Sequence, residues 1–405
     1  MDTGTMIKTL QDPMGIPFYP ILFQILMVLT FAVHIMFVNF TLGLSFFSAY
    51  GFVRGNGYWG DLSRSLSKAS TPNASLAILF GIAPLLFMQV VYDPFWYASN
   101  MLSAAWALGF IVILMLGYGL TYVFYLKRGP DRGGGFAAIG ALSFLLFLLA
   151  GVIMHVLGYQ LLQPEKWLQW YVVGKSGVDA SGTSLHAFQL PRFLHFIVPS
   201  FAMAGLFLML YAWYFKDRPD KDREHLARVA GTGAGIAFFF TALQALVGVW
   251  WLFSLPPEFR FFTDPFFLIA LVMGVSLLFY LYRARKDPFR YAVRAGVWAF
   301  LTIFAMSYAR EVLRMKYVGR YGYSIFDHKV NLDLGSTALF LCTFIAGVFI
   351  VSYPVYVAYA SGRTAGQYAA SPAVHKWGRA VLALLLLWIG AVVGLGIVIS
   401  VKNYL

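Results

Sequence analysis

Ten runs of about 20 mostly apolar residues follow one another along the chain, and they limit its fold more than any other feature. Each run is long enough to cross the hydrocarbon core of a bilayer as a helix. Charged residues make up only 12% of the chain, roughly half of their share in soluble domains. We therefore predict an all-α polytopic membrane protein whose ten spans lie near residues 20–50, 75–92, 99–126, 136–162, 191–215, 231–254, 265–282, 292–312, 336–360 and 379–401.

Lysine and arginine are concentrated in the loops that follow the odd-numbered spans. Because such residues stay on the cytoplasmic side, this distribution predicts both termini on the outer, periplasmic side of a bacterial inner membrane. The same distribution accounts for the formal net charge of +13 without a nucleic-acid partner. The loops 163–190 and 313–335 are then predicted to face outward.

Four ionisable residues fall at a common depth under this topology. His34 lies in the outer half of span 1, and His195 lies at the outer start of span 5. His155 and Glu311 lie at the outer ends of spans 4 and 8. Taken singly, a histidine can simply bond to a backbone carbonyl, and Glu311 can simply pair with Arg314. Because ionisable residues within spans are costly, their arrival at one depth from four spans favours a functional site.

Haem suits this set of residues. Neutral imidazole is a haem-iron ligand, the thioether of Met273 is a candidate second ligand, and Arg310 and Arg314 are candidates to pair with haem propionates. Zinc is the competing interpretation of the histidines, although it needs closer ligand spacing or a water path. The single cysteine, Cys342, excludes an intrachain disulfide, iron–sulfur ligation by several thiolates and a cysteine-rich zinc site.

Four short segments are similar to one membrane family. Span 1 contains HIMFVNFTLGLSF, span 5 contains RFLHFIVPSFAMAGLFLMLYAWY, span 8 ends in SYAREVLRMKY, and span 4 is followed by GYQLLQP. They resemble subunit I of the cytochrome bd quinol oxidase family, in which the corresponding helices carry two haem-ligating histidines and a haem-ligating glutamate. The resemblance covers most of residues 20–360, in the family's order.

The resemblance implies specific roles and two or three haem b groups. His34 and Glu311 occupy the positions of the oxygen-side haem ligands, and His195 occupies that of the low-spin haem ligand. The methionine partner of the low-spin haem is shifted, with Met273 as the nearest candidate. His155 is an additional histidine that could replace it and give bis-histidine ligation.

The resemblance also divides the chain into three parts. Residues 1–19 form an outer N-terminal segment. Residues 20–360 form a bd-like nine-helix haem-binding domain. Residues 361–405 form a cytoplasmic loop and a tenth transmembrane helix beyond the family's usual nine.

Two departures from the family bear on activity. Only SLPPEFRFFTD separates spans 6 and 7, where the family has a long quinol-binding loop. The acidic residues that help to deliver protons in spans 2 and 3 are also replaced, and Glu311 is the one carboxylate within any predicted span. Because oxygen reduction needs protons and buried carboxylates commonly carry them, this loss argues against an oxidase.

Three functions remain in competition. The first is a haem b electron-transfer subunit of a respiratory complex, an oxidoreductase subunit that exchanges electrons between the quinone pool and periplasmic partners such as c-type cytochromes. The alternative is a bd-like terminal quinol oxidase that reduces oxygen to water, which would add haem d. The third is a redox-silent transporter or scaffold, which the one-sided placement of the polar residues disfavours.

Surface interactions give the remaining predictions. Glu258 and Arg260, after span 6, form a weak candidate quinone site. A basic segment is a candidate docking surface for a periplasmic partner; it comprises Arg314, Lys316, Arg320 and Lys329. The other predicted partners are further subunits of the complex and the lipid membrane. The loop histidines are expected to be solvated; they are His186, His225, His328 and His375.

Overall fold

A computed structural model describes residues 2–55, 57–127, 135–174 and 177–404. Their helices, in chain order, are α1 (Thr3–Leu10), α2 (Pro20–Val53), α3 (Tyr58–Val91), α4 (Asp93–Leu102), α5 (Ala104–Leu126), α6 (Gly135–Gln160), α7 (Trp167–Tyr171), α8 (Leu190–Phe215), α9 (Arg223–Phe253), α10 (Pro265–Ala284), α11 (Pro288–Gly319), α12 (Leu334–Arg363) and α13 (Pro372–Tyr404). Ten of these, all except α1, α4 and α7, are long and apolar enough to cross a membrane. The predicted all-α fold and span count are confirmed.

Several helices extend beyond the predicted spans. Helix α3 begins at Tyr58 rather than near residue 75, and α11 continues to Gly319 rather than ending near 312. These extensions carry polar residues, so a hydropathy pattern misses them, although backbone hydrogen bonding continues through them. Helix α9 likewise begins early, at Arg223, because the side chain of Asp222 accepts a hydrogen bond from the backbone N–H of Glu224 at 2.9 Å.

The predicted third span is interrupted at its start. Helix α4 ends at Leu102, and α5 begins after Ser103, which has non-helical backbone angles. The Ser103 hydroxyl donates to the backbone carbonyl of Ser184 at 2.7 Å and lies 3.1 Å from the side-chain oxygen of Gln160. A contact with the loop before α8 therefore fixes this break, which no local breaker residue predicts.

Small residues let the central helices approach closely. A Cβ atom added at Gly43 of α2 would lie 2.0 Å from the carbonyl oxygen of Ser200 in α8. Gly205 of α8 and Gly233 of α9 meet in the same way, each 2.6 Å from the other's carbonyl oxygen by that measure. Because lipid offers little hydrophobic incentive for helix association, such close contacts are a main source of packing energy.

The largest buried cluster lies at one end of the bundle, which we call the loop-rich end. It holds α1, α4, α7 and the short antiparallel pair β1 (Val172–Val173) and β2 (Gly177–Val178). The N-terminal segment crosses this end, where the N–H of Ile16 donates to the carbonyl of Lys329 at 2.9 Å.

Helices α12 and α13 lie at the edge of the bundle. Helix α13 packs mainly against α12, and no described residue of α12 is buried. The segment 361–405, predicted to form a cytoplasmic loop and a tenth transmembrane helix, comprises the end of α12, the connecting loop and α13. Helix α12 is held at its end, where Arg218 donates to the carbonyl of Gly362 at 2.7 Å and Arg363 pairs with Asp217 at 3.0 Å.

Candidate functional site

His34 of α2 projects against the neighbouring helix α3. Its Nδ1–H donates to the carbonyl oxygen of Ala77 at 2.9 Å, which fixes the tautomer and leaves the lone pair on Nε2. A Cβ atom added at Gly81 would lie 2.8 Å from Cε1 of the ring, so the absence of a side chain there makes room for the imidazole. The ring is thus oriented with one nitrogen available for a ligand.

His195 of α8 has a comparable setting against α9. A Cβ atom added at Gly248 would lie 3.1 Å from Cε1 of this ring. Its Nδ1 is buried and has no hydrogen-bond partner among the described residues. Two imidazoles therefore each rest on a glycine of the next helix.

The backbone around His195 is shaped by a proline four residues later. Pro199 has no N–H, so the carbonyl of His195 lacks its usual helical donor. The side chain of Gln244, on α9, supplies that donor at 2.9 Å. This bond ties α9 to α8 at the level of the imidazole.

Aromatic rings and one arginine connect the two histidines. The His34 ring lies 6.4 Å from that of Phe31, and the Arg310 guanidinium lies 4.1 Å from the Phe31 ring centre. Arg310 also lies over Phe196 at 5.7 Å. At the other end, the His195 ring lies 4.9 Å from that of Trp251, and Phe196 and Trp251 are 6.2 Å apart. Helices α2, α8, α9 and α11 thus form one layer.

Three arginines converge beside this layer. Arg192, Arg310 and Arg314 line a cavity of about 20 Å³ together with Trp251 and Tyr317, enough space for about one water molecule. Arg192 is 7% exposed and donates to the carbonyls of His155 and Gly158 at 3.2 and 3.1 Å, near the end of α6. A cation is favourable at that end of a helix.

Glu311 neutralises only one of the three. Its Oε2 accepts from Arg314 at 2.5 Å, and its Oε1 accepts from the Tyr92 hydroxyl at 2.5 Å. Among the described residues, Arg192 and Arg310 form no salt bridge, and the Nε of Arg310 has no hydrogen-bond partner. Desolvating an unpaired cation costs several kcal/mol, so the surroundings of Arg192 and Arg310 favour anionic groups.

Among the described residues, no hydrogen bond or ring contact joins His155 to His34 or His195, although the carbonyl of His155 accepts from Arg192. Nε2 of His155 already accepts the N–H of Gln189 at 3.2 Å, while its Nδ1 is buried without a partner. No described contact joins the sulfur of Met273 to an imidazole; its backbone carbonyl accepts from Ser276 at 2.9 Å. Within the described ranges, no three His, Cys, Asp or Glu residues gather around one potential metal position.

The two weak quinone candidates are both exposed. Glu258 is exposed and pairs with Arg320 at 3.2 Å. Arg260 is also exposed and adopts a left-handed backbone conformation, with φ of 43°. They lie at the surface of the loop-rich end.

The basic docking segment is largely neutralised within the chain. Arg314 pairs with Glu311, Lys316 pairs with Asp264 at 3.2 Å, and Arg320 pairs with Glu258. Arg320 and Lys329 are the exposed members of the set, and Lys329 forms no salt bridge among the described residues.

Two loop histidines differ from the prediction that they are solvated. His328 is 6% exposed, and His186 stacks on Trp170 with ring centres 5.2 Å apart. Both are held by tertiary contacts that a loop assignment does not show. His375 is exposed and His225 is partly exposed.

Sequence reasoning missed four residues of the site. Arg192 lies three residues before His195, so its place in RFLHF was a usable signal. Tyr92, Gln244 and Trp251 carry no such signal, because their roles depend on which helices become neighbours.

Comparisons with known proteins bear on the fold. No family model matches the sequence, and no curated protein matches it. The structure is similar to that of bd oxidase from Geobacillus thermodenitrificans, with a TM-score of 0.65 and 13% sequence identity over 85% of this chain and 98% of that chain. The chain therefore has a bd-oxidase-like membrane fold, as the sequence resemblance implied.

Proposed function

We propose that the chain is a haem b-containing electron-transfer subunit of a membrane respiratory complex, linked to the quinone pool. The observation that carries this proposal is the layer of His34 and His195, each resting on a glycine and joined through Phe31, Arg310 and aromatic rings. The bd-oxidase-like fold supports it.

The residues of this layer fit haem. The free Nε2 of His34 and the imidazole of His195 are suited to hold iron. The uncompensated charges of Arg192 and Arg310 suit two propionates. Bound there, haem would accept and pass on single electrons.

The protein groups have separable tasks in this proposal. Ala77 orients one imidazole by accepting its Nδ1–H, and Gln244 fixes the backbone behind the other. Arg192 and Arg310 stabilise added negative charge, because the attraction between fixed cations and an added charge is stronger in a poorly solvated site than in water. Glu311, held by Tyr92 and Arg314, is proposed as a further iron ligand.

Ligation by Glu311 and by His155 makes different demands on the structure. Glu311 can contribute a remaining lone pair without losing both of its present partners. His155 would have to give up the N–H of Gln189 to use Nε2. Met273 would need a change in side-chain position to serve as an axial ligand.

A pyridine haemochrome spectrum of the purified chain, with stoichiometry, tests the proposal. We expect b-type haem, and we expect the His195→Ala variant to lose a low-spin haem. His375→Ala is the matched control, because that histidine is exposed and lies on α13, which is not one of the four helices of the layer. Absence of b-type bands in the unaltered protein would refute the haem proposal; retention of every band in His195→Ala would refute the assignment of that ligand.

A second candidate, a quinol-oxidising terminal oxidase, is favoured by one further feature. A cavity of about 10 Å³ between α2, α3, α5 and α6 is lined chiefly by hydroxyl groups, those of Ser45, Ser48, Ser67, Ser70, Thr121 and Ser143. Hydroxyls with an intervening water can relay protons without a carboxylate.

The hydroxyl groups continue towards His34. Ser45 and Ser70 are 3.0 Å apart, and Ser75 lies 2.9 Å from the Tyr118 hydroxyl. Ser75 precedes Ala77, the partner of His34, by two residues. Quinol-dependent oxygen uptake together with a chlorin-type haem in a pigment extract would support the oxidase; b-type haem without oxygen uptake would support electron transfer alone.

The setting of the subunit follows from the same proposal. The loop-rich end would face the periplasm of a bacterial inner membrane, according to the distribution of Lys and Arg. Other subunits of the complex, and a periplasmic redox protein such as a c-type cytochrome, are the proposed partners. Because most of the basic segment is internally paired, docking there would depend on the loop-rich surface as a whole rather than on four free cations.

A further inference from the structure

A buried carboxyl group lies at the loop-rich end, directly after Tyr92 in the sequence. Asp93, the first residue of α4, is 6% exposed. Its Oδ2 accepts the backbone N–H of Asp12 at 2.6 Å, whereas its Oδ1 is buried with no hydrogen-bond partner among the described residues. Burial raises the pKa of Asp93, and the Asp12 N–H and His328 oppose this shift. The carboxyl group can therefore accept a proton readily.

A buried imidazole accompanies it. The Nδ1 of His328 lies 3.0 Å from the side-chain nitrogen of Gln11, and Nε2 lies 2.8 Å from the Tyr323 hydroxyl. That hydroxyl donates to the carbonyl of Val91 at 2.7 Å, so Nε2–H donates to Tyr323 and Nδ1 accepts from Gln11. Both ring nitrogens of His328 are thus engaged in hydrogen bonds, and the ring lies near enough to Asp93 to influence its pKa.

The chain links this pair directly to the candidate cofactor layer. Tyr92 precedes Asp93 and donates its hydroxyl to Glu311. The ring of Tyr92 lies 6.3 Å from that of Tyr323, the partner of His328. At the junction of α3 and α4, Tyr92 therefore contacts Glu311 of the layer, and the next residue is the buried Asp93.

The described titratable groups near Asp93 and His328 include no further cation that would oppose protonation of Asp93. Within the described part of the chain, Asp12 and Tyr323 are the further titratable groups found to interact with Asp93, and neither is a cation. On the side of the layer, Glu311 and Arg314 already neutralise each other. Asp12 is exposed and Gln11 is partly exposed, so the N-terminal segment connects the pair to the aqueous phase.

We propose that Asp93 and His328 form a proton-exchange site that is coupled to electron arrival beside Glu311. This proposal rests on the proposed function. In the proposed step, a quinol would give one electron to a haem held in the layer, and one proton from the aqueous phase at the loop-rich end would add to the Asp93 carboxylate. Oxidation reverses both steps. The coupling is electrostatic, because a charge added in a poorly solvated region raises the proton affinity of a nearby carboxylate.

The experiment is a redox titration of each haem band in the purified full-length protein between about pH 4 and pH 8, a range that begins at the ordinary pKa of an aspartate and extends in the direction of the shift. In the unaltered protein, we expect the midpoint potential of at least one band to fall with rising pH, with a limiting slope of about 59 mV per pH unit for one proton per electron. In Asp93→Asn, which keeps an acceptor for the Asp12 N–H, we expect that slope to fall roughly twofold or more. His328→Gln should reduce it in the same direction.

Asp327→Asn is the matched control, because that carboxylate is exposed and lies next to His328 in the sequence. It should retain the slope of the unaltered protein. The proposal is overturned if the unaltered protein shows no slope, if Asp93→Asn and His328→Gln both keep it, or if Asp327→Asn lowers it equally. Haem bands present in all variants would leave the proposed function standing in each of these cases, whereas their absence from the unaltered protein would refute the proposed function itself.

Discussion

Gly81 offers the sharpest test of how the His34 imidazole is held. In Gly81→Ala, the new Cβ would lie 2.8 Å from Cε1 and 3.0 Å from Nδ1 of the ring. An ordinary contact is at least 3.4 Å, so the ring or α3 must move by about 0.6 Å. The Nδ1–H bond to Ala77, on the same helix as Gly81, is the first interaction that this movement strains.

The expected magnitudes separate stability from cofactor binding. Overpacking costs about 1–3 kcal/mol, while replacing glycine by alanine within a helix gains about 1 kcal/mol. The free energy of unfolding should therefore decrease by about 0 to 2 kcal/mol. Ligand sites tolerate displacements of only about 0.5 Å, so haem held by His34 should be lost or altered in a protein that still folds.

Haem content per chain and the visible spectrum measure this effect, and thermal unfolding in detergent measures stability. Gly119→Ala on α5 is the matched control, because a Cβ there meets nothing within 4 Å; it should leave the spectrum unchanged and raise stability by up to about 1 kcal/mol. If Gly81→Ala keeps the haem content and the spectrum of the unaltered protein, His34 does not hold a haem in the observed orientation.

Two further substitutions test the helix contacts around the layer. Gly43→Ala would place Cβ 2.0 Å from the backbone carbonyl of Ser200, which cannot rotate away, so we expect a loss of about 3 kcal/mol or more, seen as a lower unfolding temperature than in Gly119→Ala; equal unfolding temperatures would show that the helices separate freely. Gln244→Leu should cost about 1–3 kcal/mol by leaving the carbonyl of His195 without a donor, measured by thermal unfolding together with the low-spin haem band; unchanged values for both would show that water replaces the glutamine.

The membrane architecture could be predicted from the sequence with few errors. Apolar runs of sufficient length must form helices in a bilayer, because backbone groups have no other partners there. The errors concern helix ends, as at Tyr58 and Gly319, where polar sequence continues a helix beyond the hydrocarbon. The break at Ser103 was missed because its cause, Ser184, is distant in the chain.

The candidate site could be predicted only in part. His34, His195, Glu311, Arg310 and Arg314 were identified from their depth and from the family resemblance, and the structure places them in one region. The burial of His328 was not predicted, because nothing in YSIFDHK indicates that Gln11 of the N-terminal segment covers it. The same holds for Tyr92, whose hydroxyl meets Glu311 from a different helix.

The sequence by itself determined that this chain forms ten helices long and apolar enough to cross a membrane. Hydropathy and charge suffice for that, because each span meets the bilayer independently of the others. Only the tertiary structure decided which groups meet: the glycines beneath His34 and His195, the two arginines Arg192 and Arg310 that form no salt bridge among the described residues, and the burial of Asp93 and His328 near Tyr323. These contacts join residues far apart in the chain, so they follow from helix packing rather than from any local pattern.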